Sequence, residues 1–383
     1  MRDWNLQPQL EELRAQGLWR ELRHLEETDG AMVRRDARAL VNFSSNDYLG
    51  LAGSPEMQQA LEEGVARHGG GSGASRLVSG SHAVHARLEE ALAHFKRTEA
   101  ALCFSSGFAV ALGTLPALLG SGDTIILDKL CHACLVDAAR LSGATIRVFP
   151  HNHVDKLSRL LATASGRVLV VTESIFSMDG DAAALREIID LKERHGAWLL
   201  VDEAHAVGVL GPQGRGLAAA LGLEARIDLH MGTLSKALGL SGGYLAASRQ
   251  VIDVLVNRAR SFIYSTAPPP HLAHAALKML ELTASEPGES RRECLRMYVQ
   301  RLQGMLNAPP QIAAILPVIL GEERKALEAS QSLLESGFLV PAIRFPTVAR
   351  SQARLRITLS AAHSEAQIHD LAERLKPLLP KNS

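Results

Sequence analysis

The sequence predicts an α/β protein with three parts. These are a large domain with a mostly parallel central sheet flanked by helices, a small C-terminal α+β domain, and a helical segment in front. Three observations predict it. Short aliphatic runs alternate with helical patterns as far as Ala247. Those runs are continuous rather than alternating, as in strands buried on both faces. The composition supplies an aliphatic core, with 46% hydrophobic but only 4% aromatic residues.

The elements follow in order. Over residues 9–27, Leu10, Leu13, Leu18, Leu22 and Leu25 recur at helical spacing, with a weak point at Gly17. Residues 42–51 are polar and turn-prone, a loop rich in hydrogen-bonding side chains. Residues 57–67 read as a helix and 68–75 as a glycine-rich loop. Gly69, Gly71 and Ala74 fit a dinucleotide-binding spacing, but that motif must follow a strand, and here it follows a helix. A helix over 83–95 leads to strands at 101–104, 124–127, 146–149, 168–172, 198–201, 229–232 and 244–247. Ser285-Glu286-Pro287-Gly288-Glu289 reads as a turn and a boundary. The domains are then 1–45, 46–285 and 286–383, the last with strands at 315–320 and 354–358 and helices at 325–336 and 364–375.

Bulk properties exclude several classes. Lys+Arg and Asp+Glu are 41 each, which argues against nucleic acid or an anionic membrane as main partner. No apolar run is long enough to span a bilayer, and the N-terminus lacks a signal-peptide core. Four cysteines are too few for a disulfide framework, so a cytoplasmic location is expected. Cys131-His132-Ala133-Cys134 has no second cysteine pair, and no metal is expected. Phosphate-loop, zinc-protease and nucleophile-elbow motifs are absent.

In a parallel sheet, ligands bind at the carboxyl ends of the strands. Three predicted strands end in polar sequence there: Thr172-Glu173-Ser174, Asp202-Glu203-Ala204-His205, and Thr233-Leu234-Ser235-Lys236. Lys236 lies among apolar and small residues, where desolvation lowers an amine's pKa and frees it to attack a carbonyl. A lone lysine is ordinarily a solvated strand end; this one has company. Asp202, at the tip of an apolar strand, needs a cationic partner. Ser105-Ser106-Gly107-Phe108 opens a helix whose backbone N–H groups can cradle a phosphate.

Residues 42–51, 71–75, 106–108, 176–181, 201–208, 233–239, 264–266 and 354–363 together resemble the α-oxoamine synthases, pyridoxal phosphate (PLP) enzymes of fold type I. The resemblance spans nearly the whole chain in order. It implies PLP as cofactor, bound to Lys236 as a Schiff base, with Asp202 on the pyridinium nitrogen and His132 stacked on the ring. It places His205 and Ser177 at the phenolic oxygen, and Ser106, Gly107, Phe108 and Thr233 at the phosphate. Lys236, His132, Asp202 and His205 form the implied catalytic set. Ser265 or Thr266 would reach the phosphate of a neighbouring subunit, implying a homodimer with shared sites.

Within the family, residues 263–269 and 342–348 resemble the branch that condenses L-alanine with a pimeloyl thioester, on CoA or acyl carrier protein. Phe345 and Ala349 stand where that branch usually has proline. The resemblance assigns Arg344 to the amino-acid carboxylate with Asn46 nearby, His151 to the thioester carbonyl, and Arg20 and Thr347 to substrate. The neighbouring alternatives are a glycine and acetyl-CoA ligase and a catalytically silent partner subunit. The joint presence of Lys236, Asp202, His132 and His205 argues against the silent subunit.

Overall fold

The computed structural model describes residues 4–16 and 18–379. The chain opens with helix α1 (Gln7–Ala15) and strands β1 (Glu27–Asp29), β2 (Met32–Arg35) and β3 (Arg38–Asn42). The helix expected over 9–27 therefore forms only in its first part, and Gly17 falls outside the described residues. Two turns then shape the strands. Gly30 (φ 55°) reverses the chain between β1 and β2, and Asp36 (φ 51°) and Ala37 (φ 59°) reverse it between β2 and β3. A two-residue turn with both φ values positive matches the twist of paired strands. Helix α1 buries none of its residues, and Leu13, Leu22 and Leu25 of the expected stripe are exposed.

Helices α2 (Pro55–His68) and α3 (Ala83–Lys96) precede the central sheet. Ser54 caps α2 by accepting the Met57 N–H, with Pro55 in the first turn, where a missing N–H does no harm. The sheet comprises β4 (Ala100–Phe104), β5 (Thr124–Asp128), β6 (Thr145–Phe149), β7 (Val168–Glu173), β8 (Trp198–Asp202), β9 (Leu229–Thr233) and β10 (Gly243–Ala247). Its order is β4-β10-β9-β8-β7-β5-β6, parallel throughout except where β10 pairs. All seven expected strands are present, each slightly longer than expected. Val170, Leu199, Leu200 and Val201 are fully buried, so truncating either leucine to alanine removes about 2–5 kcal/mol. Asp128, Glu173, Asp202 and Thr233 stand at the carboxyl ends of β5, β7, β8 and β9. Helices α4 (Gly107–Leu118) and α5 (Ala133–Ser142) start just beyond β4 and β5.

Helices Pro270–Ala284 and Glu286–Leu306 meet at Ser285, so the expected turn is one residue and helix resumes at once. Beyond them lie β11 (Ile315–Gly321), β12 (Phe338–Leu339), β13 (Ala342–Ile343) and β14 (Ala353–Thr358). Strands β11, β14 and β13 form an antiparallel sheet. Strand β12 pairs in parallel with β3, Phe338 opposite Val41. The N-terminal strands are thus part of a sheet completed by a C-terminal strand, where a purely helical segment was expected. Among the described residues, no helix is long and apolar enough to cross a membrane.

One buried ion pair ties α3 to β8. The Lys96 ammonium contacts the Glu203 carboxylate and donates to the Arg215 carbonyl at 2.6 Å. Glu203 Oε1 also accepts the Ala218 N–H at 3.0 Å. Burial alone would raise the pKa of Glu203, but Lys96 and His230 bring it down to about 2. Lys96→Met strands this carboxylate and should destabilise the fold by roughly 3–5 kcal/mol, whereas adding Glu203→Leu should restore most of it. Urea unfolding midpoints of the single and double variants check this; a double variant no better than Lys96→Met alone would refute it.

Candidate active site

The loop after β9 carries Lys236, and its geometry comes from Thr233. The Thr233 hydroxyl donates to the Gly242 carbonyl at 2.9 Å and accepts the Ser235 N–H at 3.1 Å, closing a tight turn. Lys236 Nζ then lies 3.0 Å from His205 Nε2. Burial lowers the lysine's pKa; Asp202 and Glu173 pull it back up, and Arg356 lowers it further.

His205 is the hub of a polar chain. Burial and the charges of Lys236 and Arg356 hold its pKa well below the usual range, so the imidazole is neutral. A neutral ring has one donor and one acceptor nitrogen. With Nε2 accepting from the lysine, Nδ1–H donates to the Tyr48 oxygen at 2.5 Å. The Tyr48 hydroxyl donates to Asn46 Oδ1 at 3.2 Å, and Arg356 Nη2 donates to the same oxygen at 3.2 Å. Arg356 Nε donates to the Ser177 carbonyl at 2.6 Å and Nη1 to Thr358 Oγ1 at 2.9 Å. Tyr48 and Arg356 were not among the expected site residues. Arg356 takes the place beside Asn46 that the resemblance assigned to Arg344.

The start of α4 lies next to this loop. Ser106 is its cap, accepting the Ala109 N–H at 3.1 Å, which leaves the Gly107 and Phe108 amides without helical partners. A Cβ at Gly243 would come within 2.7 Å of the Gly107 nitrogen, so glycine lets β10 pass against the helix start. A Cβ at Gly107 would stand 3.9 Å from Thr233 Cβ. The free amides therefore sit beside Thr233, three residues before Lys236.

His132 precedes α5 and caps it, its Nδ1 accepting the Cys134 N–H at 3.2 Å. Its own backbone N–H donates to Glu173 Oε1 at 2.5 Å. Asp202 Oδ1 accepts the Ala204 N–H at 2.9 Å, and burial raises its pKa against the pull of Lys236. Among the described residues, neither Asp202 nor Glu173 has a side-chain cation within 4.0 Å.

His151 sits between two carboxylates. Its Nδ1 is 3.1 Å from Asp128 Oδ1 and its Nε2 is 2.7 Å from Asp181 Oδ2. Both ring nitrogens are engaged by carboxylates. Arg20, Arg344 and Thr347, by contrast, are brought together in a cleft of about 600 Å³ whose walls include Leu13, Leu18, Trp19 and Phe345. Among the described residues, Ser265 and Thr266 make no hydrogen bond to Lys236. Thr266 bridges to Ser75, and Ala267 N–H donates to the Ala74 carbonyl at 3.0 Å.

The residues fit PLP. A desolvated amine, a buried carboxylate awaiting a cation, and a helix start beside a threonine suit its aldehyde, ring nitrogen and phosphate in turn. Among the described residues, no group of His, Cys, Asp or Glu could hold a metal ion.

The model of the class I and II aminotransferases matches residues 38–375. The chain is 48% identical over 384 residues to 8-amino-7-oxononanoate synthase of Anaeromyxobacter dehalogenans, covering 99% of this chain and 96% of that one. The chain belongs to the 8-amino-7-oxononanoate synthase family. A solved synthase of that name from Francisella tularensis superposes with a TM-score of 0.76 at 27% identity, over 88% of this chain and 97% of that one. Serine palmitoyltransferase from S. paucimobilis, solved with PLP–myriocin bound, gives a TM-score of 0.92 at 29% identity over 98% of each chain. The fold is thus that of the fold-type I PLP transferases, as the sequence predicts.

The His151 clamp makes a pH prediction. Burial lowers the pKa of this histidine, but the hydrogen bonds it donates to Asp128 and Asp181 outweigh that and raise it to about 10. The folded pKa exceeds the unfolded value of about 6.5, so the clamp's contribution is complete below that value and is lost as pH rises towards 10. Wild-type unfolding midpoints should fall across this window more steeply than those of His151→Asn; parallel curves would contradict it.

Proposed function

We propose that this chain condenses L-alanine with a pimeloyl thioester, on CoA or acyl carrier protein, yielding 8-amino-7-oxononanoate, CO2 and free thiol. The observation that carries the proposal is the Lys236 amine held 3.0 Å from a neutral His205, with Asp202 nearby lacking a cation. Family membership gives that chemistry its substrates.

PLP, when bound, supplies an electron-withdrawing ring that stabilises negative charge at the amino acid's α-carbon. Asp202 would keep the ring nitrogen protonated, and the Gly107 and Phe108 amides with Thr233 would hold the phosphate. His132 and Ser177 would help to hold the ring. Lys236 holds the cofactor, then takes and returns the α-proton; its lowered pKa suits both tasks. His205 receives hydrogen bonds from Lys236 and passes orientation through Tyr48 to Asn46. Arg356, fixed through Ser177, Thr358 and Asn46, grips the amino-acid carboxylate. Arg20, Arg344 and Thr347 face the acyl donor, since their cleft joins apolar walls to two arginines, as a carboxylate-ended chain requires.

We read the working unit as a homodimer. Leu77, Val78 and Tyr264 are exposed at 52%, 80% and 72% near the Ser75–Thr266 bridge, a surface suited to a second copy. Ser265 and Thr266 would then serve the partner's phosphate. The free thiols of Cys103, Cys131, Cys134 and Cys294 support a cytoplasmic setting.

Arg356→Ala should raise KM for the amino acid roughly 10- to 100-fold, the loss of a charge-assisted pair, and Arg344→Ala should raise KM for the thioester instead. Steady-state kinetics with each substrate varied separates the two. The reverse pattern would exchange the arginines' roles. Lys236→Ala should bind PLP without its covalent absorbance and turn nothing over.

Thiol release from L-alanine or glycine with pimeloyl-CoA or acetyl-CoA tests the substrates. Release confined to L-alanine with pimeloyl-CoA is expected. Release mainly from glycine with acetyl-CoA would move the activity to the ligase branch.

A further inference from the structure

We propose that Glu173 is a positioning residue that carries a proton at neutral pH, leaving Asp202 as the charged member of a carboxyl pair. The inference rests on the reading of Asp202 as partner of a cationic ring nitrogen.

Glu173 and Asp202 are opposite each other in the register of the parallel strands β7 and β8. Side chains at paired positions leave a sheet on the same face, from strands about 4.8 Å apart. Both residues are buried, at 3% and 6% exposure. Two carboxylates so placed, with no cation in contact, cannot both ionise freely. One must keep its proton.

The surroundings decide which. Burial raises the pKa of Asp202 as well, and Glu203 adds to it, but Lys236, the Ala204 N–H and His132 all favour its charge. For Glu173, burial and then the charge of Asp202 dominate, lifting its pKa to about 8 against weaker help from Lys236 and the His132 N–H. The remaining neighbours do not reverse this. Asp128, from β5, opposes ionisation of Glu173, and its own charge is taken by His151. The Cys131 and Cys134 thiols of the α5 start are pushed up by burial and stay neutral.

The protonated carboxyl keeps a carbonyl oxygen to accept the His132 N–H. It thereby fixes the entry to α5, and with it the imidazole whose Nδ1 already caps that helix. Glutamine has the same shape, the same acceptor and no charge, so Glu173→Gln copies the proposed state. Glu173→Ala removes the acceptor.

The experiment compares full-length wild type, Glu173→Gln and Glu173→Ala. Infrared difference spectra of the PLP-free proteins at pH 7 should show a protonated-carboxyl band in wild type that Glu173→Gln lacks. PLP affinity, followed by fluorescence quenching, should stay within about 2-fold of wild type in Glu173→Gln at pH 7. It should weaken about 10-fold in Glu173→Ala, the loss of one buried hydrogen bond. Wild-type affinity should change as pH crosses about 8, while that of Glu173→Gln stays level.

A missing carboxyl band, or a Glu173→Gln defect as large as that of Glu173→Ala, would overturn the proposal. If Glu173→Ala does not fold, the band and the glutamine variant still decide. Wild type that binds no PLP would refute the reading of the site instead, with the infrared band still judging Glu173.

Discussion

Lys96 and Glu203 meet in the interior with no exposed side-chain surface on either residue. A buried pair of this kind adds little stability over a well-packed apolar pair, because both charges have been stripped of water. Its strength lies in what it forbids. Any arrangement that separates the end of α3 from the end of β8 leaves two unpaired charges in a low-dielectric interior. The backbone around the pair is shaped to admit it. Gly216, at φ 111°, has no side chain where a Cβ would come within 2.5 Å of the Glu203 carboxylate. Asp202 precedes Glu203 and His205 follows two residues later, so both inherit positions set by a contact that takes no part in the chemistry.

Above that pair, the site is a balance of desolvated groups. Burial opposes the charge of Lys236, and Asp202 favours it. His205 resolves the competition locally, because a neutral imidazole accepts from the amine without adding charge. Arg356 supplies the remaining positive charge, but its guanidinium is braced by Ser177, Thr358 and Asn46, so it is positioned before any ligand arrives. Preorganised charge of this kind needs no rearrangement when the reacting atoms change polarity.

How much of this was legible in the sequence depends on range. The central strands were readable because continuous aliphatic runs have one stable home in an α/β protein. At β5, β7, β8 and β9 the added strand residue is the polar one, Asp128, Glu173, Asp202 or Thr233. Apolar scoring stops one residue short of the chemistry. Arg356 was harder: β14 alternates arginine with leucine and isoleucine, which resembles a half-exposed strand, yet all six of its residues are buried. The alternation was itself a signal, since buried arginines at alternate positions demand acceptors. The clamp on His151 was not legible because its two carboxylates come from distant stretches of sequence, Asp128 and Asp181. The N-terminal strands were not legible because they are short and their turns rest on Gly30, Asp36 and Ala37, a signal weaker than the leucine spacing before them.

The pairing of β3 with β12 bears on how the chain is born. Val41 and Phe338 are neighbours in one sheet, yet roughly 300 residues separate them along the chain. At a synthesis rate of about 10 residues per second, the early hairpins wait roughly half a minute for the strand that completes their sheet. Throughout that time β3 offers an open edge to any passing strand. Its Arg38 and the neighbouring Arg34 and Arg35 of β2 place positive charge along that ribbon, which deters pairing between nascent copies. The large α/β unit can assemble from local βα contacts in the interval, whereas the pairing of β3 with β12 has to wait for Phe338.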